Sequence, residues 1–145
     1  MRIFKRKKED SLLQHPSVLE LEEIHLSLQS FIKSAEESQT LENFEKVFRQ
    51  AEMFAFHYTN NCPPNFMLRL NHESLTSYKK AQNWIYDAQS SREWALGGFL
   101  LIQIGGGKSI SKDLAQDRFD ELTLGMTPIS GNLPILSNAL ARHGQ

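Results

Sequence analysis

The chain has 145 residues, of which 40% are apolar and 23% are charged, which is close to folded soluble proteins and excludes disordered and collagen-like classes. The single cysteine, Cys62, has no partner for an internal disulfide, so we expect a reducing, cytoplasmic setting. Five of the 16 basic residues lie in the first eight positions, leaving 11 against 17 acidic residues, or −6, for the remainder. Such an acidic body argues against a surface that follows nucleic-acid phosphates and suits a basic partner.

Residues 1–10 form a basic tip, which we interpret as a solvated, frayed terminus. Weak contact of this tip with nucleic acid or anionic lipid is the alternative. The tip is not followed by the apolar run of a signal peptide. The longest apolar stretch, residues 94–104, is too short to span a bilayer, so we expect no membrane span.

The first predicted helix covers residues 18–35 and continues to about Glu37. Ser17 and Glu20 have the spacing of a capping box at its start. At about 100° per residue, Leu19 and Leu26 fall opposite the apolar stripe and are left over from it. The stripe itself comprises Val18, Leu21, Ile24, Leu28, Phe31, Ile32 and Ala35.

The second predicted helix covers residues 41–58, with Thr40 as its N-cap. Met53 and Phe56 point away from its stripe, which comprises Leu41, Phe44, Val47, Phe48, Ala51, Phe54, Ala55 and Tyr58. The polar and proline-containing segment 60–64 ends the helix. Because few residues connect the first two helices, we expect an antiparallel hairpin.

Residues 65–70 fit either a short helical turn or a short strand. The third helix is expected over residues 74–89, with a stripe of Leu75, Tyr78, Ala81, Ile85 and Ala88. Ser90 and Glu93 repeat the capping-box spacing, which predicts a new helix that begins at about Ser91.

Residues 94–104 are apolar around the whole helical circumference, which is typical of a buried central helix. A buried strand over residues 99–104 is the alternative. Gly97 and Gly98 weaken a helix, but they allow neighbouring backbones to approach closely. Glycines 105–107 end the segment in either case.

Ser111 is expected to cap a further helix that runs to Leu124, with Gly125 as its left-handed terminator. A loop over residues 126–132 and a last helix over 133–143 follow. These elements predict an all-α fold.

The expected architecture is a single domain over residues 1–145. In it, five or six helices surround the buried segment 94–104, with a minor strand as the alternative for part of that segment.

Glycines 105–107 with Lys108 and Ser109 invite comparison with a phosphate-binding loop. Because Ile102 stands where that motif requires its first glycine, the loop is too short, and we interpret the glycines as a helix stop. Nucleotide binding is therefore not predicted.

The histidines offer two candidate metal arrangements. Glu22 and His25 have the spacing found in di-iron bundles, but the second copy that such a site requires is absent from the sequence. His57, Cys62 and His72 could together bind zinc, although their spacing is generic. We predict no metal and no cofactor, and keep a metal-dependent helical-bundle enzyme using these three residues as the competing class.

The apolar residues that the stripes leave over are the best functional signal in the sequence. Trp84 lies on the far side of the third helix, and Tyr86 is also unused by its stripe. Aromatic residues and Met are enriched at the centres of protein interfaces. The predicted partner-binding residues are therefore Leu19, Leu26, Met53, Phe56, Trp84 and Tyr86.

These observations predict a non-catalytic cytoplasmic protein that binds another protein. The specific hypothesis is an inhibitor or immunity-type protein that blocks a basic toxin or nuclease through apolar anchors with an acidic rim. A secretion chaperone or adaptor is the alternative within the same class. A homo-oligomer could use the same apolar residues in a self-complementary interface.

Overall fold

The computed structural model describes residues 11–106 and 108–145, so the predicted basic tip 1–10 lies outside the described residues. Within them the chain forms a 3₁₀ turn, Leu12–Gln14, and then six α-helices without a β-strand, which confirms the all-α prediction. The helices are α1 (Pro16–Glu37), α2 (Leu41–Asn60), α3 (Phe66–Glu73), α4 (Leu75–Gly105), α5 (Lys112–Thr123) and α6 (Leu136–Ala141). The strand alternatives for residues 65–70 and 99–104 are wrong, because both segments are helical.

The capping box predicted at Ser17 and Glu20 is wrong, because α1 begins two residues earlier. Pro16 is its first residue, where the missing N–H would have had no partner in any case. The N-cap is His15, whose ring Nδ1 accepts a hydrogen bond from the backbone N–H of Ser17 at 3.2 Å.

Helices α1 and α2 form the predicted antiparallel hairpin. The Nε2–H group of His57 donates to the carbonyl of Ser17 at 2.5 Å, and the side-chain amide of Gln50 donates to the carbonyl of Ile24 at 3.1 Å. Thr40 caps α2 as predicted, because its hydroxyl accepts a backbone N–H at 3.1 Å. Both helices of the hairpin pack against α4.

Helix α4 runs for 31 residues without the break that the sequence predicts near Ser91. The hydroxyls of Ser90 and Ser91 donate to carbonyls three residues earlier in the same helix, as serines inside a helix commonly do. Glu93 pairs with Arg142 instead of closing a capping box. Local capping signals near Ser91 are therefore overridden by packing, because no residue of α4 is exposed over 87–102.

Two glycines of α4 allow close packing, as the sequence predicts. A Cβ atom on Gly97 would lie 2.1 Å from the carbonyl oxygen of Ala139 in α6. A Cβ atom on Gly98 would lie 2.4 Å from the ring of Phe44 in α2. The helix ends at Gly106, which adopts the left-handed conformation at φ 60°.

Helix α4 joins two clusters of buried apolar residues. Its first half packs with α1, α2 and α3, and its second half packs with α5 and α6. Phe48 of α2 contacts both clusters. The expectation that the segment 94–104 forms the centre of the bundle is confirmed by the burial of Ala95, Leu96, Gly97, Gly98, Leu100 and Leu101.

The last two helices differ from the prediction mainly at α6. Helix α5 follows Ser111 and is terminated near Gly125, whose φ is 78°. Helix α6 begins three residues later than predicted, because Pro134 favours an extended backbone before it and Ile135 is itself extended. Among the described residues, no helix is both long and apolar enough to cross a membrane.

Candidate functional site

The structure separates the six predicted partner-binding residues into distinct places. Leu19 and Leu26 are exposed on α1, and Met53 and Phe56 are exposed on α2. Tyr86 is exposed on α4. The prediction for Trp84 is wrong: it is only 5% exposed, because its side of α4 packs against α1 beside His25.

The outward side of α1 combines leucines with carboxylates, and we call it the leucine–glutamate face (Leu19, Glu20, Glu23 and Leu26). Leu19, Glu23 and Leu26 are spaced i, i+4 and i+7, so they lie on one side of the helix. This side is opposite the buried stripe, which explains why Leu19 is 41% and Leu26 58% exposed.

Carboxylates continue along both edges of the leucine–glutamate face. On one edge, the carboxylate of Glu20 lies 3.9 Å from the ring Nδ1 of His57. On the other edge, Glu22 forms an ion pair with Lys80 of α4 at 2.9 Å. The face therefore combines two leucines with Glu23 between them, Glu20 on one edge and the Glu22–Lys80 ion pair on the other.

A second feature is an open groove of about 820 Å³ between α2, α4 and α5. Met53 and Phe56 stand at its edge, 54% and 57% exposed. We call it the phenylalanine groove, because four of the apolar residues that line it are phenylalanines; the apolar lining comprises Phe44, Phe48, Met53, Phe56, Ala95, Leu96, Phe99 and Leu122.

The rim of the phenylalanine groove carries charges of both signs. Arg49 and Glu45 form an ion pair at 2.8 Å along the exposed side of α2. On the α5 side, Arg118 donates to Glu121 at 2.8 Å and to Gln103 at 2.9 Å. The rim thus favours neither an acidic nor a basic partner by its net charge.

A buried ion pair fixes one end of the groove. Arg92 is fully buried, and its Nη1 donates both to the carboxylate of Glu52 and, at 2.7 Å, to the carbonyl of Thr127. The same carboxylate accepts the backbone N–H of Thr127 at 3.3 Å. Burial lowers the pKa of Arg92, while Glu52 opposes this effect. The pair therefore ties the segment after α5 to α2 and α4.

Tyr86 belongs to a third surface, at the meeting of α4 and α6. Arg142 donates to Glu93 at 2.9 Å. The hydrogen bond with Glu93 is the main cause that raises the pKa of Arg142, and Tyr86 adds to it. This part of the surface is held by polar contacts within the chain.

The structure does not bring His57, Cys62 and His72 together as metal ligands. His57 is buried, its Nε2–H bound to Ser17 and its Nδ1 accepting from Asn61 at 3.1 Å, whereas His72 is exposed. Across residues 11–106 and 108–145, no three His, Cys, Asp or Glu side chains are grouped to hold a metal ion.

The other motif histidine, His25, is buried, and its Nε2 lies 2.8 Å from the carboxylate of Asp87. It therefore occupies a core position with a bonded neighbour. Its partner comes from α4 and could not be named from the sequence.

Sequence reasoning missed the groove itself. The helical pattern puts Phe48 in a buried stripe and Phe99 in the buried segment 94–104, and it gives no reason to single out Arg118 or Leu122. Their common position depends on where α5 packs, and a helical wheel of one helix carries no signal for that.

Single exposed apolar residues are ordinary on protein surfaces, and several others occur here: Leu68, Leu114, Leu124, Leu133 and Ile135.

The fold and these surfaces define an all-α helical bundle with exposed apolar residues on its outer hairpin. A scan of protein-family models found no match for the chain, and searches of curated proteins and of solved structures found no similar protein.

Proposed function

We propose that this protein is a non-catalytic binding protein that inhibits a basic toxin or nuclease in the cytoplasm, as immunity proteins do. The observation that carries the proposal is the leucine–glutamate face of α1. Its exposed leucines stand among carboxylates on one side of a helix.

Leu19 and Leu26 provide the apolar anchors of the proposed interface. Both are exposed although the bundle buries the opposite stripe of the same helix completely at Val18, Leu21 and Leu28. Removing such side chains from water contributes roughly 25 cal/mol per Å² of apolar surface. A partner that covers both leucines gains this stabilisation.

The carboxylates supply the preference for a basic partner. Glu23 lies between the leucines and Glu20 lies at one edge of the face, whereas Glu22 at the other edge is already paired with Lys80. The net charge of −6 beyond the first eight residues extends the same field over the protein. Opposite charge accelerates encounter, so we expect the association rate to fall as salt concentration rises.

The proposed cytoplasmic location is based on the single cysteine of the chain, which has no partner for an internal disulfide. Cys62 is a free thiol, and burial raises its pKa to about 11. A thiol of this kind reacts slowly and is compatible with a reducing compartment.

The test begins with the immobilised protein and an extract of its native host. We expect it to retain a basic protein whose toxic or nuclease activity the purified protein then inhibits at equimolar ratio. Leu26→Lys should weaken this inhibition by about thirtyfold or more, the loss typical of an anchor residue.

Leu75→Lys is the matched control, because Leu75 is 59% exposed, against 58% for Leu26, and lies at the start of α4. Equal inhibition by both variants would contradict the proposed surface. Retention of exported proteins or secretion components, without inhibition of a toxic activity, would instead favour the chaperone or adaptor role.

A further inference from the structure

We propose that the partner of the leucine–glutamate face docks as a basic amphipathic helix laid along α1. This inference rests on the proposed function, because it concerns the same face, and it adds the shape and the charge pattern of the element that binds there. Three features of α1 support it: the spacing of its exposed leucines, the small residues that follow them and the position of its carboxylates.

The first feature is the spacing of the two exposed leucines. Leu19 and Leu26 are seven residues apart, which is about 10.5 Å, or two turns, along the axis of α1. A second helix that packs nearly parallel or antiparallel to α1 carries same-side residues at this same interval. An extended strand repeats its same-side residues about every 6.7 Å, and neither one nor two of these repeats matches the interval. The leucines therefore fit a helix and not a strand.

The second feature is the outline of the exposed side of α1. Beyond Leu26 this side continues with Ser27 and Ser30, both exposed. Small side chains at a contact allow two helices to approach closely. Helix α1 has 22 residues, so it is about 33 Å long, and exposed positions recur in every turn along it. A surface this long, bounded by α2 on one edge and by α4 on the other, suits a rod-shaped partner element.

The third feature is the position of the carboxylates, which selects a basic helix. Glu23 lies between the two leucines, and none of the ion pairs that join described residues involves it. A lysine or arginine between two apolar residues of the partner helix would meet this carboxylate. Glu20, at the edge toward α2, adds a second negative charge 3.9 Å from the ring of His57.

The edge toward α4 limits how the partner helix is turned. Lys80 of α4 is paired with Glu22 at 2.9 Å, and about half of its side chain is exposed. It repels a lysine or arginine placed over this edge, whereas Glu20 at the opposite edge attracts one. The basic side of the docked helix is therefore turned toward Glu20 and away from α4.

The test uses the full chain and a synthetic amphipathic peptide of about three heptads, with leucines seven residues apart on one side and lysines between and beside them. A comparison peptide has the same composition in an order that places the leucines on no common side. Titration calorimetry measures binding, and amide chemical shifts locate the contact. We expect the patterned peptide to bind about tenfold more tightly or better, because only it buries both leucines, with shift changes over residues 19–30.

Two lysine substitutions test the place of the contact. Leu26→Lys should weaken binding of the patterned peptide by about thirtyfold, as expected for an anchor residue. Leu75→Lys is the matched control, because it adds the same charge at an equally exposed site on α4. It should change the affinity by less than about threefold. Circular dichroism should show that both variants keep their helices.

Charge-removing substitutions test the orientation. Glu23→Gln should weaken binding by about twofold to fivefold, the effect of an exposed ion pair. Glu37→Gln is its control, because it removes the same charge from the exposed last residue of α1, about 21 Å from Glu23 along the helix, and should have little effect. Lys80→Gln should strengthen binding, because it removes the repulsion and frees Glu22. Weaker binding by Lys80→Gln would contradict the proposed orientation.

The outcomes separate this inference from the proposed function. Equal affinity for the two peptides, or an equal loss in Leu26→Lys and Leu75→Lys, would overturn helical docking on α1. The proposed function would survive that result if Leu26→Lys still weakened inhibition of a toxic protein, since the partner would then bind α1 through another kind of element. Conversely, tight binding of the patterned peptide at α1 would support the docking mode, and a host extract that yields no inhibited toxic protein would overturn the inhibitory role alone.

Discussion

Substituting Gly97 by alanine tests how α4 and α6 are packed. In an isolated helix this change is favourable by about 1 kcal/mol, because glycine is a poor helix former. Here the new Cβ atom would lie 2.1 Å from the carbonyl oxygen of Ala139 and 3.0 Å from the ring of His143. Non-bonded heavy atoms normally stay about 3.5 Å apart, so α6 must move away.

The cost of this movement exceeds the gain in helix propensity. Forcing an extra methyl group into a packed core costs about 1–3 kcal/mol, and here the obstructing atom belongs to backbone that cannot change rotamer. Displacing α6 also loosens Leu136 and Leu140, which are buried in the second apolar cluster. Because the obstruction is backbone, we take the upper part of this range, about 2–3 kcal/mol; less the propensity gain of about 1 kcal/mol, Gly97→Ala should lower the free energy of unfolding by about 1–2 kcal/mol.

The assay is urea unfolding followed by circular dichroism, with amide hydrogen exchange to locate the loosened region at 136–141. Asn83→Ala is the control, because Asn83 is an exposed residue of the same helix. It should raise stability by a few tenths of a kcal/mol, roughly the propensity difference alone. If Gly97→Ala is as stable as the wild type or more stable, the close contact between α4 and α6 is refuted.

Three further outcomes follow from buried polar groups. Glu52→Gln should lower the free energy of unfolding by about 3 kcal/mol, because it leaves the buried charge of Arg92 without its counterion; a loss below 1 kcal/mol would contradict the buried pair. His57→Leu should cost about 1–3 kcal/mol because the carbonyl of Ser17 loses its donor, and an unchanged urea midpoint would refute this. The pKa of about 11 for Cys62 implies slow iodoacetamide labelling of the folded protein at pH 8. Burial raises this pKa above the unfolded value of 9.0, so the stabilisation that the Cys62 thiol contributes is present below pH 9 and is lost as pH approaches 11. A Cys62→Ala variant should therefore lose less stability than the wild type between pH 9 and pH 11.

The sequence predicts the hairpin of α1 and α2 well, because each helix is amphipathic and only one side is buried. Its stripe residues Val18, Leu28, Phe44 and Phe54 are indeed core residues. The exception in the hairpin is Leu41 of α2, and Leu75 is a similar exception in the predicted stripe of α4; they are 36% and 59% exposed because each is the first residue of its helix, at the edge of the core.

The same reasoning fails for α4 because no residue is exposed over 87–102 and because the earlier part of the helix is covered on more than one side. A helical wheel identifies one buried face, but α4 is contacted by α1, α2, α3, α5 and α6. Trp84 therefore looks unused in the wheel and is buried in the structure. The predicted break at Ser91 fails for a related reason, since a buried helix tolerates serines that bond to its own backbone.

The meaning of a leftover apolar residue thus depends on the position of its helix in the bundle. On α4 the packing of α1 covers Trp84, which therefore stabilises the fold, whereas Tyr86 is left 61% exposed. On α1 and α2, which pack against each other and against α4, the outer sides keep Leu26 and Phe56 more than half exposed. These two residues lie on different surfaces, one bordered by carboxylates and one beside an apolar groove. Leu26→Lys and Phe56→Gln therefore test the two surfaces separately: only the first should weaken binding of a basic partner, and an equal loss with both would contradict the assignment of that partner to α1.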